Sequence, residues 1–223
     1  MRITWYAHAC FRLEGSGLTI VTDPYTPERA GIPPVTDRAD VVLMSSALDD
    51  AHSNWQMIPG SPRVVNALDA VDSPVRLDGS VEVRAVAATE GRDRPDDPKA
   101  NALYVVALDG VRVCHMGDVG TPLAEHQLAP LRGRVDVLLA LAGGGETIPL
   151  PHLDRAIAEI GPRIVIPMHY ATPRIRYELG SLEDFLEAHT GEPVERRAES
   201  RLEVTRETLP VRRAIVVLSP LLG

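Results

Sequence analysis

A weak internal repeat limits the folds open to this chain more than any other feature of its sequence. Residues 17–23 contain a turn, a short apolar strand and a terminal acid, and residues 110–118 repeat that order. In both halves a second apolar run follows an aspartate, Asp40 in the first and Asp136 in the second. Two similar strand-rich halves that each need a cover of helices predict an α/β fold of two mixed β-sheets packed face to face. A doubly wound parallel sheet fits less well, because strands dominate the first half.

Hydrophobic periodicity places the individual elements within these halves. Alternation over residues 3–13 and short apolar runs further along the chain predict the strands, with tight turns at 15–17 and 109–110 between them. Helical spacing predicts three helices, and residues 90–99 lack any apolar period and predict an exposed loop. The remaining predicted strands are 18–22, 41–44, 63–65, 81–86, 103–108, 111–115, 135–141, 164–167 and 214–218, and the predicted helices are 122–131, 153–160 and 185–189.

Composition and charge exclude several classes of protein. A length of 223 residues fits one domain spanning 1–223, because a single hydrophobic core serves chains of this size. A net charge of −8 argues against a nucleic-acid partner, which would require clustered cationic side chains. Cys10 and Cys114 lie in apolar runs and are expected to be buried thiols. No apolar run approaches ~20 residues and no signal peptide is apparent, so no membrane contact and a cytoplasmic location are expected.

Three of the seven histidines lie where a predicted strand runs out into a loop. His8 follows Trp5-Tyr6-Ala7, His115 begins a segment that reaches Asp118, and His169 ends the apolar run from residue 164. Loops at strand ends are where a rigid sheet holds functional side chains in a cleft. One such histidine is most simply a hydrogen-bonded core residue, whereas several together with an aspartate indicate a functional site.

Four segments in a fixed order carry a family resemblance. They are residues 5–13 (WYAHACFRL), 21–25 (VTDPY), 115–120 (HMGDVG) and 166–170 (IPMHY). With the gaps between them, they resemble the metallo-β-lactamase superfamily, in the branch of metal-dependent hydrolases similar to L-ascorbate-6-phosphate lactonase. The resemblance extends from Ile3 to Leu218 and implies an αββα four-layer sandwich with one or two zinc or manganese ions in a cleft at one edge. Neutral imidazoles and carboxylates hold such ions, which lower the pKa of water.

The chain departs from the family's main signature, His-x-His-x-Asp-His. An ungapped alignment after residue 44 puts Ser46 and Leu48 at the first two histidine positions, Asp50 at the aspartate and Ala51 at the third histidine. A one-residue insertion would instead return His52 to the third position, at the expense of Asp50. Leucine cannot coordinate a metal ion and serine is a poor zinc ligand, so the first two imidazoles are lost.

The resemblance therefore implies a reduced set of ligands. Asp118 and His169 remain, together with either His52 or Asp50, and His8 and His115 are assigned to the outer part of the cleft. The family's mid-chain histidine is also missing, because Thr89-Glu90-Gly91 stands at its position, where Glu90 is an alternative ligand. Such a set predicts at most one weakly bound zinc or manganese ion, or none, and only a modest rise in thermal stability when metal is added.

Two functions from different classes follow from this set. The first is a metal-dependent hydrolase of a small ester, lactone or phosphoester. The second is a non-catalytic descendant that binds a small molecule in the same cleft or serves as an assembly unit. Either function implies a small-molecule partner or, for an assembly unit, a homo-oligomer. Retained Asp118 and His169 favour the first function, and the eroded signature favours the second.

Overall fold

The computed structural model describes residues 1–79, 81–91 and 100–221, and within them the chain forms fourteen strands. Most strands coincide with apolar runs whose side chains are buried on one or both faces. The strands are β1 Arg2–Ala7, β2 Cys10–Gly15, β3 Leu18–Thr22, β4 Val41–Met44, β5 Arg63–Asn66, β6 Val75–Asp78, β7 Val81–Thr89, β8 Ala100–Leu108, β9 Val111–His115, β10 Val137–Leu141, β11 Ile164–Met168, β12 Val194–Arg196, β13 Arg201–Glu203 and β14 Ala214–Val217.

The strands form two mixed sheets, which confirms the predicted fold class. The first sheet has the order β13-β1-β2-β3-β4-β5 and the second β12-β14-β11-β10-β9-β8-β7-β6. In each, an antiparallel part leads into parallel strands, at β3-β4-β5 and at β9-β10-β11. Buried side chains of both sheets belong to one apolar cluster, so the sheets pack against each other.

The internal repeat appears in the structure as a repeated hydrogen bond. Asp40 lies just before β4, and its carboxylate accepts from the backbone N–H of Thr19 at 2.8 Å. Asp136 lies just before β10, and its carboxylate accepts from the backbone N–H of Arg112, also at 2.8 Å. Each aspartate thus ties the start of a central parallel strand to the preceding strand, so the repeat in the sequence reflects a shared strand connection.

The described residues form four helices, one more than predicted. They are α1 Pro27–Ala30, α2 Glu125–Leu128, α3 Leu150–Ile160 and α4 Leu182–Glu187, with 3-10 turns at Trp55–Met57 and Ala67–Ala70. The helix predicted at 122–131 forms only α2, because Pro130 has no N–H to continue the helix and disfavours a helical residue before it. Ser181 caps α4, since its side chain accepts from the Asp184 N–H.

Three further points concern the two cysteines, the loop predicted at 90–99 and the membrane. Cys10 and Cys114 are free and buried, as expected. In the predicted loop 90–99, Glu90 is buried, and residues 92–99 lie outside the described residues. No helix in the described part of the chain is long and apolar enough to cross a membrane.

Replacing Asp136 with asparagine should destabilise the fold in a pH-dependent way. Arg112 donates to both carboxylate oxygens of Asp136, at 2.9 and 2.7 Å. Burial opposes ionisation, but these hydrogen bonds hold the pKa of Asp136 below its ordinary value. A carboxylate with a lowered pKa stabilises the folded state at neutral pH and loses that effect as the pH falls through its folded-state pKa. Urea unfolding at pH 7 should show a loss of about 2 kcal/mol for Asp136→Asn.

The same comparison at low pH provides the internal control. Below the folded-state pKa of Asp136 the wild-type and variant free energies of unfolding should converge, because the wild-type side chain is then also neutral. An equally large difference below the folded-state pKa would show that the loss comes from packing and not from the ion pair.

Candidate metal centre

One cleft of about 740 Å³ opens at the edge where the loops after β1, β4, β9 and β11 meet. Function is expected at such an edge, since the sheets fix the positions of the loops that leave them. The side chains that line it are mostly ionisable. They include His8, Arg29, Asp49, His52, Glu90, Asp118, Glu146, His169 and Glu178.

His52 lies at the centre of this cleft and is oriented by a buried carboxylate. Its Nδ1 lies 3.1 Å from Asp23 Oδ2, and because a carboxylate only accepts, Nδ1 carries the proton. In the neutral ring Nε2 is then the lone-pair donor, and it lies 3.8 Å from Asp118 Oδ2 and 3.9 Å from Asp49 Oδ2. Burial opposes protonation, yet the carboxylates of Asp118, Asp23 and Asp49 raise the pKa of His52 to about 10. The carboxylates therefore favour a positive charge at Nε2, which is a proton in the metal-free protein and can be replaced by a metal ion.

Asp23, fully buried after β3, organises the loop that carries His52. Besides contacting His52, it accepts hydrogen bonds from the Ser45 N–H at 2.8 Å, the Ser45 hydroxyl at 2.6 Å and the Tyr104 hydroxyl at 3.1 Å. Burial works against its charge, but His115, His52 and Ser45 together keep the pKa of Asp23 below its ordinary value. Asp23 was not among the predicted site residues, although its place at a strand end in the repeat was a usable signal.

Asp118 and His169, which the resemblance assigns as metal ligands, lie next to each other in the cleft. His169 Nε2 lies 3.4 Å from Asp118 Oδ1. Asp118 follows Gly117, whose positive φ of 61° and close neighbours leave no room for a side chain, since a Cβ there would lie 2.4 Å from Asn101 Oδ1. The same Asn101 oxygen accepts from the Asp118 N–H at 3.4 Å. The turn at Gly117 therefore aims the aspartate into the cleft.

The glycine-rich loop after β10 supports the backbone of His169. A Cβ at Gly143 would lie 2.1 Å from the carbonyl oxygen of His169, so only glycine allows the two loops to approach this closely. Gly145, Glu146 and Thr147 of the same loop line the cleft. His169 itself has a left-handed backbone, φ 55°, and donates its N–H to the His8 carbonyl at 3.1 Å. Burial lowers the pKa of its imidazole, which favours the neutral form that binds metal ions.

The structure separates Asp49 from Asp50. Asp49 is buried, faces His52 and lines the cleft, whereas the Asp50 side chain is 65% exposed and paired with Arg29. Asp50 therefore does not belong to the donors in the cleft. Asp49, which was not among the predicted ligands, lies there instead. This is the arrangement that a one-residue insertion before His52 produces. Leu48 projects outwards and is 74% exposed.

His115 is close to the centre but has both ring nitrogens occupied. Nε2 donates to the Ala9 carbonyl at 2.8 Å, and Nδ1 accepts from the Gly117 N–H at 2.9 Å. The ring also stacks on Tyr104 with centroids 4.9 Å apart. Burial lowers the pKa of His115, consistent with a neutral ring. It supports the turn at Gly117 and offers no nitrogen to a ligand, in keeping with the outer position that the resemblance implies.

Glu90 occupies the place of the missing mid-chain histidine. It is buried in the cleft wall, and its Oε1 accepts from Asn101 Nδ2 at 3.2 Å. Burial and the carboxylates of Asp49 and Asp118 raise the pKa of Glu90 to about 7. Its carboxyl group can therefore gain or lose a proton near neutral pH, which suits acid–base chemistry as well as metal binding.

The residues present fit a divalent metal ion. Among the described residues, Asp49, His52 and Asp118 offer ligand atoms within 4.8 Å of one another, and so do His8, His52 and His169. His52 Nε2, Asp118 Oδ1 and Nδ1 of both His8 and His169 are buried without a hydrogen-bond partner. Leaving such atoms unsatisfied costs about 1–3 kcal/mol each. Neighbouring ligands of a tetrahedral zinc ion lie about 3.4 Å apart, close to the spacings around His52.

Comparison with known proteins agrees with the fold. A family model described as a β-lactamase superfamily domain matches residues 2–169. A UPF0173 metal-dependent hydrolase of Methanoculleus marisnigri is 32% identical over 208 residues, covering 85% of this chain and 90% of the relative. Another from Archaeoglobus fulgidus is 29% identical over 197 residues, covering 77% of this chain and 84% of the relative.

A solved structure extends the likeness to three dimensions. A Thermotoga maritima protein proposed to be a zinc-dependent hydrolase of the metallo-β-lactamase superfamily matches with a TM-score of 0.76 and 32% identity, covering 97% of both chains. The resemblance to this superfamily inferred from the four segments is confirmed. The nearer likeness to ascorbate-6-phosphate lactonase stays a prediction.

Proposed function

The chain belongs to the metallo-β-lactamase superfamily, and from that premise we propose that it is a metal-dependent hydrolase that works with one zinc or manganese ion. One observation carries the proposal: the cleft gathers donors from three separate loops around His52 Nε2, which is buried and has no hydrogen-bond partner. Asp49, His52, Asp118 and His169 are the residues that would hold the ion. Ionisable side chains with perturbed pKa values that meet in one cleft are the pattern expected of a functional site.

The number of ions is inferred to be one because the leading histidines of the family signature are missing. With or without the one-residue insertion, no histidine stands at the two leading positions of the signature, and Leu48 points away from the cleft. The two groups of donors in the cleft share His52. A second ion would need a ligand set of its own, and among the described residues of the cleft His8 is the one histidine outside the set named above.

The chain's own residues supply orientation and proton transfer. When bound, a divalent ion supplies a Lewis acid that polarises the bond to be cleaved and lowers the pKa of water towards neutrality. Asp23 keeps the proton of His52 on Nδ1, so that Nε2 faces the cleft. Glu90, with a pKa of about 7, is placed to give a proton to the departing alkoxide. Gly145, Glu146 and Thr147 form part of the cleft wall.

Charge in the cleft favours a neutral substrate. Its described lining has five carboxylate residues, Asp49, Glu90, Asp118, Glu146 and Glu178, against one arginine, Arg29, which is already paired with Asp50. Such a lining repels a phosphate group even after one divalent ion is bound. We therefore favour a small carboxylic ester or lactone over a phosphoester.

Turnover by metal-free and metal-loaded protein tests this function. Chelator-treated chain, and the same chain reloaded with zinc or manganese, would be assayed with phenyl acetate, a γ-lactone, a δ-lactone and bis(p-nitrophenyl) phosphate. Only the loaded protein should hydrolyse the ester or a lactone, with little action on the phosphodiester. The variant Asp50→Ala should behave as wild type, because that side chain lies outside the donor set.

Two results would contradict the proposal. Equal turnover before and after removal of metal would show that the ion has no part in the reaction. Stoichiometric metal uptake without turnover of any substrate in the panel would favour the alternative, a non-catalytic descendant that keeps the cleft for binding.

A further inference from the structure

The His8 ring is buried, and the hydrogen bonds that the residue makes through its backbone do not explain why an imidazole is present there. The residue lies between β1 and β2 with a left-handed backbone, φ 54°, and its carbonyl accepts from Trp5 Nε1 at 3.0 Å and from the His169 N–H at 3.1 Å. These bonds use only the backbone. The ring is 2% exposed, and its Nδ1 has no hydrogen-bond partner.

His8 instead shares a small volume with two other imidazoles. Its ring centroid lies 4.1 Å from that of His169 and 4.8 Å from that of His52. One ring nitrogen from each of the three residues falls within 4.8 Å of the others. Each of the three rings keeps one buried nitrogen without a hydrogen-bond partner, and a cation between the rings would give them a common partner.

We propose that His8 is a direct ligand of the ion, so that the centre contains three imidazoles and prefers zinc to manganese. The inference rests on the metal centre of the proposed function. The resemblance had placed His8 in the outer part of the cleft, with two imidazoles in the site. Imidazole favours zinc whereas carboxylates suit manganese, so a third imidazole beside Asp118 shifts the preference towards zinc. It also predicts tighter binding than the weak site expected from the sequence.

The left-handed backbone at position 8 determines which substitutions can test this proposal. Asparagine tolerates a positive φ better than other side chains, so His8→Asn removes the imidazole with little backbone strain. Glycine adopts this conformation freely, so His8→Gly leaves a ring-sized space that added imidazole can enter. His152→Asn, at an exposed position of α3, is the matched control for the loss of one histidine.

Zinc-edge X-ray absorption counts the imidazoles directly. Wild-type and His152→Asn protein should show three, and His8→Asn two. In chelator competition His8→Asn should lose about 100-fold in zinc affinity and much less for manganese. Added imidazole should restore zinc affinity to His8→Gly but leave His8→Asn unchanged.

The outcomes separate this inference from the function it rests on. Zinc held by two imidazoles in both wild type and His8→Asn would overturn the role of His8 and leave the proposed function standing. Equal losses of zinc and manganese affinity would overturn the zinc preference. A wild-type chain that takes up no zinc or manganese would contradict both proposals.

Discussion

Replacing Asp118 with alanine should abolish metal-dependent turnover while leaving the fold intact. Asp118 is the residue whose two carboxylate oxygens face two imidazoles, Oδ1 towards His169 at 3.4 Å and Oδ2 towards His52 at 3.8 Å. Its loss removes a ligand and a negative charge that offsets ion dehydration. We expect kcat/KM to fall by about 10³-fold or more, which corresponds to about 4 kcal/mol of transition-state stabilisation.

The stability of the same variant distinguishes a functional from a structural role. Without metal, removal of Asp118 relieves repulsion with Asp49 and Glu90 but also removes its attraction to protonated His52. Metal-free Asp118→Ala should therefore melt near the wild-type temperature, and added zinc should no longer raise that temperature. Asp50→Ala, one residue from Asp49 and exposed, should keep both turnover and the zinc response. Retention of wild-type activity by Asp118→Ala would exclude it from the centre.

Asp23→Ala should reduce both stability and metal affinity. The buried carboxylate accepts three hydrogen bonds from Ser45 and Tyr104 and fixes the tautomer of His52. Removing it leaves several buried donors without partners, and we expect about 3–5 kcal/mol of lost stability. Zinc affinity should fall by about 10–100-fold, because His52 is no longer oriented with Nε2 towards the ion.

Asp136→Asn is the matched control for this second variant. It also loses a buried carboxylate with several hydrogen bonds, but it lies before β10 and away from the cleft. Urea unfolding and chelator competition on both variants separate the two effects. If Asp136→Asn lowers zinc affinity as much as Asp23→Ala does, the loss follows from general destabilisation and the orienting role of Asp23 is wrong.

The fold could be predicted from the sequence because the repeat marks one kind of hydrogen bond, from a backbone N–H of one strand to an aspartate carboxylate before the next. Asp40 and Asp136 occupy equivalent places, and each ties two strands together through the same kind of bond. The acids at the strand ends are less equivalent than they look. Asp23 directly follows β3 and orients His52 through a hydrogen bond at Nδ1, whereas Asp118 lies three residues beyond β9 and lines the cleft. Sequence spacing alone does not distinguish these two directions.

The donor set was harder to predict because it depends on one inserted residue. A shift by one position decides whether Asp49 or Asp50 faces the cleft, and the two are chemically identical. The contribution of His8 depends on a left-handed turn that brings the end of β1 against the loop after β11. Contacts of this kind join residues some 160 positions apart, and no local pattern encodes them.

Metal stoichiometry tests the central claim most directly. The purified chain would be stripped with chelator, equilibrated with excess zinc, freed of unbound metal and analysed for zinc per chain, with Asp118→Ala treated in parallel. A single centre around His52 predicts one zinc ion per wild-type chain and far less in the variant. Two ions per chain would contradict the single site, and none would contradict the metal centre altogether.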